Sequence, residues 1–185
     1  MDIRISLARM YYPVRVLGPG ERVGLWLTGC DRRCPGCISP ELQPYDSTRE
    51  VGIGAVREMI GRIGGQIDGF TVSGGEPFYR PRALRALTEM LYEISDDILI
   101  YTGYTLEELC AMQSPDVQAV LDRCAALVDG PYIRAQNDGI GQRGSANQRC
   151  RVFRYPEKYA DLCTTERAVQ TVVYGRSVLT VGIPE

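Results

Sequence analysis

The chain has 185 residues, 44% of them hydrophobic and 24% charged, with a formal net charge of −2 and no histidine. A chain of this length buries about 70% of its unfolded surface without disulfide staples, and its charge balance offers no basic field for nucleic acid or an anionic membrane. The absence of histidine excludes Ser-His-Asp triads, Cys-His pairs, His-ligated zinc and imidazole acid–base chemistry.

Met1 to Met10 carries charges and no signal-like apolar stretch, and no apolar run approaches a membrane span, so a cytoplasmic protein is expected. Val23-Gly24-Leu25-Trp26-Leu27 reads as a buried strand running into a cysteine-rich loop. Ser47 and Glu50 have the spacing of a capping box ahead of a helix that includes Val56, Ile60 and Ile63. Gly69 to Val72 is a second strand, ending in Ser73-Gly74-Gly75-Glu76-Pro77. Pro81 opens a helix with Leu84, Leu87, Leu91 and Ile94 on one face. Asp97 to Tyr101 is a third strand. Thr105 with Glu108 caps the next helix, Ser114-Pro115 starts another, and Ala125 to Asp129 is a fourth strand.

Strand and helix alternating at this spacing predict βα units and a parallel α/β sheet, with ligands received at the carboxyl ends of the strands. The polar and glycine-rich clusters fall at those ends: the cysteine loop, Gly74-Gly75-Glu76, Tyr101-Thr102-Gly103 and Asp129-Gly130. After Arg134 the pattern changes to a polar, glycine-rich loop from Ala135 to Gln148. Two strands follow, Val169 to Val173 and Ser177 to Val181, joined by the turn Tyr174-Gly175-Arg176.

Cys30, Cys34 and Cys37 form a C-x3-C-x2-C run. Three thiolates in a reducing compartment read as metal ligands. A four-iron cluster held by three sulfurs leaves one iron open to a small molecule. Structural zinc is an alternative; it needs a fourth ligand, which no histidine can supply but a carboxylate or another of the thiols could, and coincidence in a buried core is opposed by the polar, turned loop of Asp31, Arg32, Arg33, Pro35 and Gly36. Gly74-Gly75-Glu76 alone could be a simple turn; beside the cysteine loop it becomes a platform, with Glu76 as acceptor for an ammonium group. Gly139-x-Gly141-x-x-Gly144 has the letters of a dinucleotide fingerprint without the strand and helix that give them meaning, and reads as a loop. Cys110 and Cys124 read as core, and Cys150 and Cys163 could be a second metal pair.

Taken together, C-x3-C-x2-C followed by a strand-end Gly-Gly-Glu resembles the radical S-adenosylmethionine (SAM) enzymes. More closely, the chain resembles the activating proteins of anaerobic (class III) ribonucleotide reductase. Tyr11-Tyr12-Pro13-Val14, Gly18-Pro19-Gly20, Thr28-Gly29-Cys30, Cys34-Pro35-Gly36-Cys37, Ser73 to Pro77, Tyr101 to Thr105, Leu127 to Gly130 and Arg143 to Gln148 carry the likeness, in order. Ile38-Ser39-Pro40 and the segment from Arg151 to Glu185 depart from that pattern.

The resemblance implies a partial (β/α) barrel in residues 1–150, with residues 151–185 as a C-terminal extension ending in a β-hairpin. It implies a [4Fe-4S] cluster on Cys30, Cys34 and Cys37, with SAM on the open iron. Gly74, Gly75 and Glu76 would receive its amino end, Gly36 and Ile38 its adenine, and Tyr101, Thr102 and Asp129 would line the pocket. The implied partners are a glycyl radical enzyme and a flavodoxin- or ferredoxin-type electron donor. Modification of a peptide or small molecule by the same radical, or a non-catalytic metal-binding module, are the competing expectations.

Overall fold

The computed structural model describes residues 3–175 and 177–184. Its central sheet is built on four parallel strands, β2 (Arg22–Leu27), β4 (Gly69–Gly74), β5 (Ile98–Thr102) and β6 (Ala126–Asp129). Three more strands extend it: β1 (Arg4–Val14), antiparallel to both β2 and β3 (Glu50–Gly52), and β7 (Arg149–Val152), antiparallel to β6. The row runs β3-β1-β2-β4-β5-β6-β7, and β8 (Val169–Tyr174) with β9 (Ser177–Gly182) makes a separate hairpin.

Helices α1 (Ile53–Gly61), α2 (Pro81–Tyr92), α3 (Leu106–Ala111) and α4 (Pro115–Leu121) form the connections. Pro81 starts α2 because its missing N–H lies where no intrahelical partner exists. Thr105 and Glu108 form the expected capping box on α3, each accepting from the other's backbone N–H. Ser114 accepts from Val117 N at the start of α4.

Strand residues alternate between two cores. Val23, Leu25, Phe70, Val72, Ile98 and Ile100 pack against Val56, Ile60, Leu84, Leu87, Leu91, Val117 and Val120 of the helices. Each such fully buried side chain contributes about 1.5–3 kcal/mol relative to exposure. The other face is covered by the C-terminal segment: Tyr159 and Leu162 pack on Leu99, Ala126 and Val128, while Leu179 and Val181 pack on Val14, Leu17, Trp26 and Leu42. A buried ionic group ties this segment to the start of the sheet. Arg22, with 0% of its side chain exposed, pairs with Asp97 at 3.0 Å, and Lys158 and Tyr159 donate to the same carboxylate.

The structure corrects several expectations. Residues 47–50 do not cap α1: Ser47–Arg49 is a 3-10 turn capped by Asp46, Glu50 enters β3, and the α1 N-cap is Gly52. The Glu50 carboxylate is taken instead by Tyr45 and Arg80. Ile63 lies beyond α1, though still against the core, and Ile94 lies beyond α2 and is exposed. Cys110 is exposed, whereas Cys124 is buried as expected. Cys150 and Cys163 are paired as a disulfide across 13 residues of sequence, which removes the second metal pair. The hairpin forms at the expected positions; Arg176 of its expected turn lies outside the described residues.

Candidate functional site

At the carboxyl ends of β2, β4 and β5 opens a cavity of about 950 Å³. Its wall includes Cys30, Cys34, Gly36, Cys37 and Ile38 from the cysteine loop, then Ser73, Gly74, Gly75 and Glu76 after β4, and Tyr101, Thr102 and Gly103 at the end of β5. Ten of the eleven residues singled out from sequence therefore share one cavity. Asp129 does not border it: its carboxylate accepts from Leu106 N at 2.8 Å and from Arg151 Nε at 3.2 Å, so it anchors α3 and β7.

The cysteine loop is pinned by backbone bonds at its base. Gly29 N donates to Leu42 O, Cys30 N to Gln43 O, and Glu76 N to Gly29 O at 2.7 Å. Gly74 has a φ of +115°, and a Cβ there would strike the backbone of Leu27. One on Gly75 would strike the carbonyl of Gly29. The two glycines thus let the end of β4 lie directly against the strand that carries the cysteines. On its outer side the loop is held by Tyr104, which donates to Asp31, and by the Arg32 guanidinium, 4.5 Å from the Tyr104 ring centroid.

Glu76 is buried and accepts three bonds: from Phe78 N at 2.9 Å, the Thr102 hydroxyl at 2.8 Å and Gly103 N at 2.7 Å. Burial outweighs these donors and pushes its carboxyl up to about 7. Burial likewise raises the Cys30 thiol, against the N–H groups of Arg33 and Arg32 and with the charges of Glu76 and Asp31. The Tyr101 hydroxyl is buried with no hydrogen-bond partner, and burial raises it far above the ordinary phenol range. An orphaned hydroxyl on a cavity wall is a group a ligand can satisfy.

The donor set fits an iron–sulfur cluster better than a single ion. Among the described residues, no three His, Cys, Asp or Glu side chains converge on one metal position. A lone zinc needs four donors about 2.0–2.3 Å from a single point, whereas a four-iron cluster is anchored by thiolates spread around it. Cys110, Cys124, Cys150 and Cys163 do not border the cavity, so the trio has no fourth cysteine to complete it.

Sequence reasoning missed other lining residues. Arg9 comes from β1, Trp26 from β2, and Tyr132, Arg134, Asn137, Gly144 and Gln148 from the segment after β6. The hairpin adds Thr180 to Pro184. Only the Arg143 to Gln148 stretch carried a signal, through its likeness to a known pattern.

Residues 16–151 match the family described as 4Fe-4S single cluster domain. The anaerobic ribonucleoside-triphosphate reductase-activating protein of Vibrio cholerae is 36% identical over 152 residues, covering 75% of this chain and 92% of that one. The protein of that name in Escherichia coli K12 is 31% identical over 148 residues, covering 75% and 93%. The solved structure of QueE from Escherichia coli aligns with 55% of this chain and 53% of that one, at 19% identity and a TM-score of 0.48.

Proposed function

The chain belongs to the 4Fe-4S single cluster domain family and to the anaerobic ribonucleoside-triphosphate reductase-activating proteins, and on that premise we propose that it installs a glycyl radical on a partner anaerobic ribonucleotide reductase. One observation carries the reading: three thiols, with no fourth cysteine, share a cavity with a buried glutamate and an unpartnered tyrosine hydroxyl. Residues 1–150 would form the partial barrel of the radical SAM enzymes, with 151–185 packed on it.

Cys30, Cys34 and Cys37 would hold the [4Fe-4S] cluster, with SAM on the iron they leave open. When bound, the reduced cluster would supply the one electron that splits SAM's sulfonium into methionine and a 5′-deoxyadenosyl radical able to take a hydrogen atom from a glycine Cα.

The chain's own residues bind, orient and exclude water. Glu76, held by Phe78 N, Thr102 and Gly103 N, presents a fixed acceptor to an N–H of the substrate's amino group. Gly74 and Gly75 hold that acceptor close to the cysteine loop. The Tyr101 hydroxyl offers a hydrogen bond from the wall, and Gly36 and Ile38 offer backbone and apolar surface to the adenine. Asp129 supports the rim through α3 rather than touching the ligand. No acid or base is required, which agrees with the missing histidine. A flavodoxin- or ferredoxin-type protein would deliver the electron.

Anaerobic mixing of the cluster-loaded protein, SAM, a reductant and the reductase from the same organism tests this reading. The expected result is a glycyl radical signal on the reductase by electron paramagnetic resonance. A silent spectrum with demonstrably loaded protein counts against it.

A further inference from the structure

The hairpin meets the cavity in an unusual way. Five consecutive residues border it: Thr180, Val181 and Gly182 of β9, then Ile183 and Pro184. Side chains on a strand alternate between faces, so an unbroken run along a cavity means that the strand turns its edge, and with it its backbone, toward the opening. One edge of β9 carries the ladder to β8, from Val169↔Gly182 to Val173↔Val178. Among the described residues no strand pairs with the other.

Open edges are usually blunted by charge, proline or a bulge. Ser177–Gly182 has no charged residue and no proline, and Val173 and Val178 on the adjoining outer face are 68% and 65% exposed. Ile38 on the cysteine loop, which borders the same cavity, is 57% exposed. The family match ends at residue 151, before this edge begins.

We infer that the free edge of β9 receives the glycine-bearing segment of the partner reductase as an added antiparallel or parallel strand, which carries the glycine into the cavity. The inference rests on the proposed function, because that reaction requires a glycine Cα from another chain to reach this cavity. Main-chain bonding suits the task. It grips an extended segment whatever its side chains, and a glycine with none can approach closely. A second copy of this chain pairing β9 to β9 is the competing occupant.

The test uses the wild-type, cluster-loaded protein and a synthetic peptide copying the partner's glycyl segment. Two further peptides carry N-methyl groups on alternate residues, one on the odd and one on the even positions. Strand addition places only one alternate set of peptide amides against β9. One methylated peptide should therefore bind at least about tenfold more weakly than the parent, and the other should bind within about threefold of it. Amides of residues 178–183 should gain protection from hydrogen exchange on peptide binding.

Equal binding by both methylated peptides, or exchange unchanged in β9, overturns the inference. So does a peptide-insensitive dimer with β9 already protected. Release of 5′-deoxyadenosine without peptide is measured on the same sample. Its presence with no β9 effect rejects this inference alone, whereas its absence rejects the proposed function and the inference with it.

Discussion

The Thr102 hydroxyl donates to Oε1 of Glu76 at 2.8 Å and so ties the last residue of β5 to the loop that follows β4. Two strand ends share one carboxylate, and the position of that carboxylate is fixed before any ligand arrives. Preorganisation of this kind removes the cost of ordering an acceptor at the moment of binding.

Glu76 gives the first prediction. Burial raises its carboxyl to about 7, above the ordinary value. The folded state therefore binds more protons than the unfolded chain between about pH 4.5 and 7, and stability falls across that window as pH rises. The ionised form costs roughly 3 kcal/mol when nothing neutralises it. The cationic SAM, with an N–H of its amino group on this carboxylate, would offset that cost, hence SAM affinity should rise as pH passes 7. In Glu76→Gln, affinity should drop about tenfold or more and lose that pH dependence, read by equilibrium dialysis. A Gln variant with the wild-type profile would exclude Glu76 as the acceptor.

A second prediction concerns the buried ionic group. Burial alone would raise Asp97, but the Arg22 charge and the donors from Arg22, Lys158 and Tyr159 leave it below the ordinary carboxylate range. Its stabilisation is thus full above the unfolded value of about 3.9 and is lost as pH falls through the folded one. Arg22→Met leaves the buried carboxylate with Lys158 and Tyr159 as its remaining partners and should cost about 3 kcal/mol in urea unfolding at neutral pH. Acid unfolding of that variant should begin at higher pH.

The disulfide yields a third. With a sequence separation of 13 between Cys150 and Cys163, its loss should lower stability by about 3 kcal/mol in oxidised protein. Cys150→Ser and wild type should melt together once both are reduced. Alkylation of unfolded, cluster-free, unreduced protein should mark five thiols, those of Cys30, Cys34, Cys37, Cys110 and Cys124.

The parallel core was legible because its strands are continuous apolar runs, such as Val23 to Leu27, that sit between layers on both faces. The strand β1 was not, since Arg4–Val14 mixes buried, half-buried and exposed positions without a clean period of two. Ser47 and Glu50 had the letters of a capping box, yet the glutamate is claimed by Tyr45 beside it and by Arg80, thirty residues away in sequence. The site followed the same rule. The cysteines and Gly74-Gly75-Glu76 announce themselves by local spacing. Arg9, Trp26 and the β9 edge enter the wall only through long-range pairing.

Gly74 supplies the fourth prediction. Alanine there combines a φ of +115° with a clash against the Leu27 backbone. Gly74→Ala should lose about 1–3 kcal/mol of stability and bind less iron on reconstitution, because the cysteine loop rests on that junction. Stability and iron content equal to wild type would mean that the two strand ends separate freely.

The central claim is that three sulfurs leave one iron open to a sulfonium substrate. Quantifying 5′-deoxyadenosine from anaerobically reconstituted protein with SAM and a reductant tests it most directly. Wild type should release it only when both are added, and Cys34→Ala should release none. Equal release by that variant, or no release by iron-loaded wild type, would contradict it.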